Sequence, residues 1–326
     1  MKVPLRLMSI DNLYAQSGRL VFDLNGVDLH FNFRPANFSN VETLLIGFHG
    51  AIDRSSRPVP AFIPFLPGIG EVVHQLSVAD PCLRTSPEIS MSWYAGDIDF
   101  DAQHLLPKLF QDISRALGVR RTIYFGTSGG GFSALFYSRQ HPGSLAIVGN
   151  PQTKIGGFYP RHINAYLSNC WPKLNSLDEL TGIVTTDVAM HYINGEIDNY
   201  VIYLQNSTDP FHLFGHMAPF LSSINNPVSR KRVACACLFP GKSGHNPVWE
   251  MFSPWIQAAV VSQDWEAENI ILTHHALSTD KPSPLGSNAQ TRKERGDPVS
   301  RTISDASDFR LANLLRDYHL RRQSDG

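Results

Sequence analysis

The chain has 326 residues, 42% of them apolar and 10% aromatic, and its formal net charge at pH 7 is -1. A chain of this length buries a large core, and its composition is that of a globular protein of enzyme size. The small net charge gives no electrostatic reason to expect nucleic acid or an anionic membrane as a partner.

Targeting and cysteine signals favour a reduced, cytoplasmic protein. Residues 1–11 contain no long apolar stretch and no small-residue cleavage site, so we expect no secretory signal. No run approaches the ~20 apolar residues of a membrane-spanning helix. Cys235 and Cys237 alternate along a strand-like run, and we expect both to be small buried apolar residues. Together with Cys82 and Cys170, the four cysteines are spread too widely for a zinc or disulfide framework. We expect no metal and no cofactor.

The first predicted elements are strands. The runs at 19–24 and 27–33 flank Asn25-Gly26, a strong hairpin signal that predicts an antiparallel pair. Residues 43–48 form a continuous apolar run, typical of a central parallel strand buried on both faces. Further strands are predicted at 72–78 and 89–94, and an irregular loop at 52–70.

From residue 103 onward, strands alternate with helices. Helices are predicted at 103–117, 131–138, 211–223 and 248–261, and strands at 121–125, 145–149, 200–205 and 232–239. Strands joined by helices imply parallel βαβ units. We therefore predict an α/β domain over 1–277, with a mostly parallel sheet, N-terminal antiparallel strands and helices on both faces. The irregular, aromatic stretch 151–198 is interpreted as a small cap insertion.

The C-terminal segment differs in composition from the rest. From residue 278 to 326 it is rich in Ser, Pro, Asp, Arg and Lys, so it buries too little apolar surface to offset its ordering entropy, and we predict disorder. Within it, residues 305–321 place apolar side chains near one helical face. We predict a helix that docks on the protein itself; a protein partner or self-association is the alternative.

Gly126-Thr127-Ser128-Gly129-Gly130 is the strongest chemical signal. This G-x-S-x-G motif lies between the strand at 121–125 and the helix at 131–138, which is the context of a nucleophile elbow. A serine on a tight strand-to-helix turn needs small neighbours, which the glycines supply. The helix N-terminus beneath it favours developing negative charge.

Two later residues complete the requirements of a serine nucleophile, which needs a base and a carboxylate that orients the base. Asp209 follows the strand at 200–205, and His245 follows the strand at 232–239. Open α/β sheets assemble their sites at the carboxyl ends of strands. The order Ser, Asp, His is that of doubly wound serine hydrolases.

Together with His49-Gly50-Ala51, this ordered set resembles the α/β-hydrolase-fold serine hydrolases over roughly residues 40–262. The resemblance implies that Ser128 is the nucleophile, His245 the general base and acid, and Asp209 the orienting carboxylate. It also implies an oxyanion hole made by the backbone N–H of Gly129 and that of Ala51, with Gly50 as the neighbouring option. In that family the His-Gly pair shapes the loop, so His49 is expected to be structural.

A narrower similarity is to bacterial hydrolase-like proteins associated with surface-polysaccharide gene clusters. Four segments carry it: Ser77-Val78-Ala79-Asp80-Pro81, Trp93-Tyr94-x-Gly96, Asn150-Pro151-Gln152-Thr153 and Gln205-Asn206-x-x-Asp209. No substrate is assigned from this similarity.

Rival residues exist for each role. Asp198 is the alternative acid, although it precedes its strand. His212 and His216 are alternative bases; their i, i+4 spacing also suits two metal ligands, but without an obvious third ligand we favour helix-surface or core packing. His212 is close enough to Asp209 in sequence to line the site. Asp97 and Asp99 either face the pocket or form a solvated turn, and we favour the turn.

Three functions remain open from the sequence. The leading one is hydrolysis of a small-molecule or glycan-linked carboxylic ester or thioester through an acyl-enzyme. The second is an acyltransferase that uses the same triad and passes the acyl group to a sugar or alcohol. The third is a non-catalytic protein of this fold that works in assembly or secretion.

Overall fold

The computed structural model describes residues 4–193, 195–239, 241–245 and 248–279. The strands are β1 Leu5–Leu7, β2 Gly18–Leu24, β3 Val27–Arg34, β4 Thr43–Phe48, β5 His74–Val78, β6 Arg121–Thr127, β7 Leu145–Gly149, β8 Tyr200–Asn206 and β9 Val233–Leu238. The helices are α1 Ala102–Ala116, α2 Gly129–Arg139, α3 Pro160–Cys170, α4 Leu177–Thr181, α5 Pro210–His212, α6 Ala218–Ser223, α7 Pro227–Arg230, α8 Trp249–Val261 and α9 Ala267–Thr279. A π-helical turn, Leu213–Met217, joins α5 to α6.

All nine strands belong to one sheet in the order β1-β2-β3-β5-β4-β6-β7-β8-β9. Every neighbouring pair from β5 to β9 is parallel, whereas β3 pairs antiparallel with both β5 and β2. The predicted hairpin and the mostly parallel sheet are therefore confirmed. Because parallel strands end at the same edge, the residues that follow β4, β6, β7, β8 and β9 meet there.

The central strands are buried because helices cover both faces of the sheet. Every residue of β4 and β7 is buried. On one face Phe48 stacks on Tyr137 of α2, with ring centroids 5.4 Å apart. On the other face Phe125 meets Phe252 of α8 edge to face at 5.5 Å. This packing holds the strand ends in register.

The predicted strand at 89–94 is wrong. Trp93 and Tyr94 have φ angles of 55° and 53°, which are incompatible with a strand. Asp80 stabilises this turn, because its buried carboxylate accepts hydrogen bonds from the backbone N–H groups of Ser92 and Tyr94 and from the Ser92 hydroxyl. These hydrogen bonds to Asp80 therefore override the β propensity of residues 89–94. The other predicted strand begins at His74 instead of residue 72.

The predicted burial of Cys235 and Cys237 is also wrong. β9 is the edge strand of the sheet, and both cysteines are exposed on the face opposite Ala234, which is buried. The described residues leave that face largely open, although Cys237 Sγ lies 3.8 Å from Met217 Sδ. Strand periodicity groups residues by face but does not say which face a helix covers.

The segment between β7 and β8 contains α3 and α4, joined by irregular turns. It packs on the sheet domain: the Tyr166 hydroxyl donates to the Gly96 carbonyl, and the Tyr192 hydroxyl donates to the Leu135 carbonyl in α2. Helix α9 was not predicted, because its apolar residues are consecutive and do not repeat at helical spacing. Two of them, Ile271 and Leu272, are exposed. The predicted helix 305–321 and the tail beyond 279 lie outside the described residues. Within the described part of the chain, no helix combines the length and apolar character needed to cross a membrane.

Candidate active site

Ser128 lies on a strained turn between β6 and α2. Its φ of 55° and ψ of -125° belong to a region that non-glycine residues rarely adopt. The turn is tight on every side: a Cβ on Gly126 would lie 2.1 Å from the Gly130 carbonyl oxygen, and one on Gly130 would lie 2.4 Å from that of Phe48. The Ser128 N–H donates to the Gly149 carbonyl at 3.1 Å. Both glycines are therefore sterically required.

The loop after β4 adjoins this turn. A Cβ on Gly50 would lie 3.3 Å from Ser128 Cβ and 3.8 Å from the Gly129 nitrogen. Ala51 is exposed beside it. His49 is buried, and its Nδ1 lies 2.7 Å from the Gly50 carbonyl, so Nδ1 carries the proton and Nε2 accepts from the Asp80 N–H. Both nitrogens of His49 are thus engaged in shaping the loop.

Asp209 and His245 are brought together by the ends of β8 and β9. Asp209 Oδ2 lies 3.0 Å from His245 Nδ1. The loop that carries His245 is attached to β8, because the Asn206 side-chain amide donates to the carbonyls of Lys242 and Gly244 at 2.8 and 2.9 Å. Asp209 itself caps α5, where its Oδ1 accepts the N–H of His212. The carboxylate is therefore held from two sides.

His212 packs against both Asp209 and His245. Its ring stacks on His245 with centroids 4.1 Å apart and planes 15° apart, and His216 follows at 5.3 Å. His212 Nδ1 is 2.8 Å from Asp209 Oδ2, but the contact lacks the angle of a hydrogen bond. Burial, reinforced by neighbouring histidines, lowers the pKa of both His212 and His216 to about 4. Both rings are thus neutral at neutral pH.

The electrostatic setting keeps Asp209 ionised. Burial opposes its charge, but the adjacent His212, the His212 backbone N–H and His245 together hold the pKa of the carboxyl below its ordinary value. An ionised carboxylate fixes the His245 proton on Nδ1 and leaves Nε2 free as a base. The His245 side chain is 37% exposed, so its free edge is open to solvent.

The same three side chains are the group within the described residues whose spacing suits a metal ion. Ligand atoms of Asp209, His212 and His245 all lie within 4.8 Å of one another. Both imidazoles approach the carboxylate through Nδ1, but only the His245 contact has the geometry of a hydrogen bond. The carboxylate already accepts hydrogen bonds, so a metal would have to displace the protons that hold the cluster together.

The rival acids lie elsewhere. Asp198 is exposed and paired with Arg139. Asp97 is buried and pairs with Arg84, whose Nη1 lies 2.6 Å from its Oδ2, so the predicted solvated turn is wrong for this residue; Asp99 is exposed. Sequence reasoning named Gln152 only within a segment of similarity and gave it no role, but its side-chain amide donates to Ser128 Oγ at 3.2 Å. The sequence signal for a role at the site was its place in the loop after β7, which ends at Gly149 at the carboxyl edge of the sheet. Among the described residues, Ser128 Oγ is hydrogen-bonded to Gln152 and not to His245.

The buried histidines predict acid-sensitive stability. Unfolding returns the pKa of His212 and His216 from about 4 to about 6.5, so the unfolded chain binds more protons between these values, and stability is lost as pH falls through this window. Because His212 is one cause of the lowered His216 pKa, the two contributions are coupled and belong to the pair. His216→Asn keeps an acceptor for the Thr153 N–H and should flatten the pH dependence of the free energy of unfolding, measured with denaturant from pH 7 to 4.5. Substituting the exposed His104 should leave it unchanged; an equal slope in both variants contradicts the prediction.

No protein-family model matches the chain, and no curated protein matches it in sequence. The structure is similar to the acylaminoacyl peptidase of Pyrococcus horikoshii, with a TM-score of 0.52 and 13% identity over 78% of this chain and 44% of that chain. It is also similar to the capsule O-acetyltransferase of Neisseria meningitidis serogroup A, with a TM-score of 0.46 and 13% identity over 79% of this chain and 95% of that chain. Est1E from Butyrivibrio proteoclasticus gives a TM-score of 0.45 and 13% identity, over 80% of this chain and 100% of that chain.

The sheet order, the helices on both faces and the similarity to the acylaminoacyl peptidase structure together define the fold. This chain has an α/β-hydrolase fold, as the sequence predicted. At such identities the likeness establishes the fold alone, and the function has to be argued from the site.

Proposed function

We propose that this chain is a serine hydrolase that cleaves a carboxylic ester or thioester through Ser128, His245 and Asp209. The observation that carries the proposal is the 3.0 Å contact between Asp209 Oδ2 and His245 Nδ1, at the sheet edge where the strained Ser128 follows β6. A serine, a histidine and a carboxylate at one edge, in that chain order, supply nucleophile, base and orienting group.

The reaction proceeds in two halves. His245 Nε2 takes the Ser128 Oγ proton as the bond from Oγ to the acyl carbon forms, and then gives it to the departing alcohol or thiol. Water attacks the resulting acyl-enzyme, His245 takes the water proton, and Oγ regains a proton as the acid leaves. Asp209 stabilises the imidazolium in both halves. Catalytic hydrogen bonds tighten in the complex with substrate, and the Ser128–His245 hydrogen bond is expected to form there.

An oxyanion hole made by the N–H groups of Gly129 and Ala51, with Gly50 as the neighbouring option, stabilises the tetrahedral intermediates. Gly50 supports this role because its backbone abuts both Ser128 and the Gly129 nitrogen. Loss of one such donor costs about 3 kcal/mol of transition-state stabilisation. The N-terminus of α2, which begins at Gly129, adds its partial positive charge.

Aromatic side chains beside the histidines supply an apolar wall for the substrate. The rings of Tyr159 and Phe211 stack with centroids 5.2 Å apart, and Phe211 lies 5.0 Å from His212. Phe158 continues the row toward Trp93 at 6.3 Å. Tyr159 is 51% and Phe211 36% exposed, so this surface is free to contact an acyl chain or the apolar face of an alcohol.

A fluorophosphonate probe tests the proposal directly. The wild-type protein should gain the mass of one probe less HF, because the Ser128 hydroxyl displaces fluoride and gives its proton to His245. Ser128→Ala should gain none. Ser207→Ala, at an exposed serine on the same edge, is the matched control and should label like wild type. Labelling that survives Ser128→Ala rules out this nucleophile, and an unreactive wild type favours a non-catalytic role.

Product analysis separates hydrolysis from acyl transfer. Wild-type protein and an activated short ester are incubated with and without an alcohol or sugar acceptor. Free acid as the main product in both reactions supports a hydrolase. An acylated acceptor that forms at the expense of free acid, and only in the presence of Ser128, assigns the chain to the acyltransferases.

A further inference from the structure

Gln152 is the polar side chain that touches the proposed nucleophile. Its Nε2 lies 3.2 Å from Ser128 Oγ, and its backbone N–H donates to the Ser128 carbonyl at 3.0 Å. Gln152 is fully buried. A hydrogen bond removed from water is stronger than an exposed one, and a buried amide must find partners for both of its ends.

The orientation of this amide is set by chemistry. The indole Nε1 of Trp93 lies 2.6 Å from Gln152 Oε1. An indole N–H is a donor only, so the atom that faces it has to be the amide oxygen. The amide nitrogen therefore faces Ser128, and the hydroxyl oxygen has to accept.

Trp93 is itself immobilised. Its ring is buried and meets Tyr166 edge to face at 5.7 Å. Its carbonyl accepts the Ser133 hydroxyl of α2 at 2.9 Å. The turn that carries it is held by Asp80, as described above. Trp93 and Gln152 thus form a buried chain of two donors that ends at Ser128 Oγ.

We propose that Gln152 is a further catalytic residue, which donates a hydrogen bond to Ser128 Oγ, and that Trp93 is its positioning residue. This inference rests on the proposed function of Ser128. The donated bond occupies one lone pair of Oγ and leaves the Oγ–H free to point at His245. It also stabilises the negative charge that develops on Oγ as its proton moves to His245 and the bond to the acyl carbon forms, and again when that bond breaks in deacylation.

Labelling kinetics with the fluorophosphonate probe give the most direct test. In this reaction the Oγ–P bond forms, the P–F bond breaks, fluoride leaves and the proton passes to His245. Gln152→Met keeps the side-chain volume but has no donor, and should slow labelling about 10- to 100-fold, the worth of one hydrogen bond to a charged group. Gln152→Glu should react at least as slowly, because a carboxylate accepts the Oγ–H and repels charge on Oγ.

A double-mutant cycle tests the role of the indole. Trp93→Phe keeps an aromatic ring and removes the N–H that orients the amide, so it should slow labelling by a smaller factor. In the Gln152→Met background the same change should alter the rate by less than about twofold, because the indole acts only through the amide. If Trp93 and Gln152 had only a structural role, their losses of labelling rate would add and would follow a fall in unfolding temperature. Circular dichroism measures the unfolding temperature of each variant.

The outcomes separate this inference from the proposed function. If wild type labels at Ser128 and the folded Gln152 variants label at the wild-type rate, Gln152 is not catalytic although Ser128 is. Additive Trp93 and Gln152 effects overturn the positioning role. A wild type that does not react overturns both proposals. If Gln152→Met does not fold, Gln152→Glu, which keeps an acceptor for the indole, decides the question.

Discussion

The Asp209→Asn variant is expected to lower turnover of a short p-nitrophenyl ester about 10⁴-fold while the protein remains folded. The Asp209 carboxylate accepts a hydrogen bond from His245 Nδ1, so the basic lone pair stays on Nε2. An asparagine that turns its NH₂ toward Nδ1 favours the opposite tautomer, in which Nε2 carries a proton and cannot accept one from Ser128. Asparagine also caps helices well, so α5 should persist. Initial rates and circular dichroism measure the two effects separately.

Asp198→Asn is the matched control for this prediction. It makes the same substitution at the rival acid, which is exposed and bonded to Arg139 instead of a histidine. Surface ion pairs contribute at most about 1 kcal/mol, so activity and stability should both remain close to wild type. A loss of activity in the Asp198 variant with normal activity in the Asp209 variant would reverse the assignment of the orienting carboxylate.

The Gly126→Ala variant is expected to lose at least about 4 kcal/mol of stability, which places it among the exceptional single substitutions. Its Cβ would lie 2.1 Å from the Gly130 carbonyl oxygen and 2.9 Å from the Gly131 nitrogen. Both atoms are backbone of the turn that carries Ser128, so no side-chain rotation relieves the overlap. Either β6 or the start of α2 has to move. Denaturant unfolding measures the loss, and insoluble expression is its limiting form.

Gly182→Ala provides the control for the loss at Gly126. Gly182 ends α4 with an ordinary φ of -78°, and the nearest atom to an added Cβ is the Glu179 carbonyl oxygen at 3.5 Å, an ordinary contact. Replacing glycine at such a position changes stability by less than about 1 kcal/mol, in the favourable direction, by restricting the unfolded chain. Comparable losses of stability in both variants would mean that the backbone overlap at Gly126 does not cause the loss.

The elements that sequence reasoning placed correctly share one property. Their signals are local: the Asn25-Gly26 hairpin, the apolar run at 43–48, and the glycine-bounded turn around Ser128 each specify a conformation through neighbouring residues. The order of strands and helices then implied a parallel sheet, which brings strand ends to one edge. That inference predicts that Asp209 and His245 lie at the same edge, where Asp209 Oδ2 lies 3.0 Å from His245 Nδ1.

The elements that sequence reasoning misplaced depend on tertiary packing instead of on their neighbours in the sequence. Trp93 and Tyr94 favour a strand by composition, but the buried Asp80 carboxylate holds them in a turn. Cys235 and Cys237 alternate as core residues do, but the sheet ends at β9 and their face is largely uncovered. Asp97 follows a turn signal and is nonetheless buried against Arg84. At Trp93, Tyr94 and Asp97 a tertiary contact outweighs a local preference of about 1 kcal/mol or less, whereas the two cysteines are exposed because no described element covers their face.

The sequence by itself determined the fold class, the elbow and the order of the candidate catalytic residues. Periodicity, glycine spacing and strand ends each depend on residues that are close together in the sequence. Only the tertiary structure decided that His212 stacks on His245 and that Gln152 and Trp93 reach Ser128. Those contacts join loops separated by tens of residues. Their geometry depends on how the strands pair and how the loops pack, which no local pattern encodes.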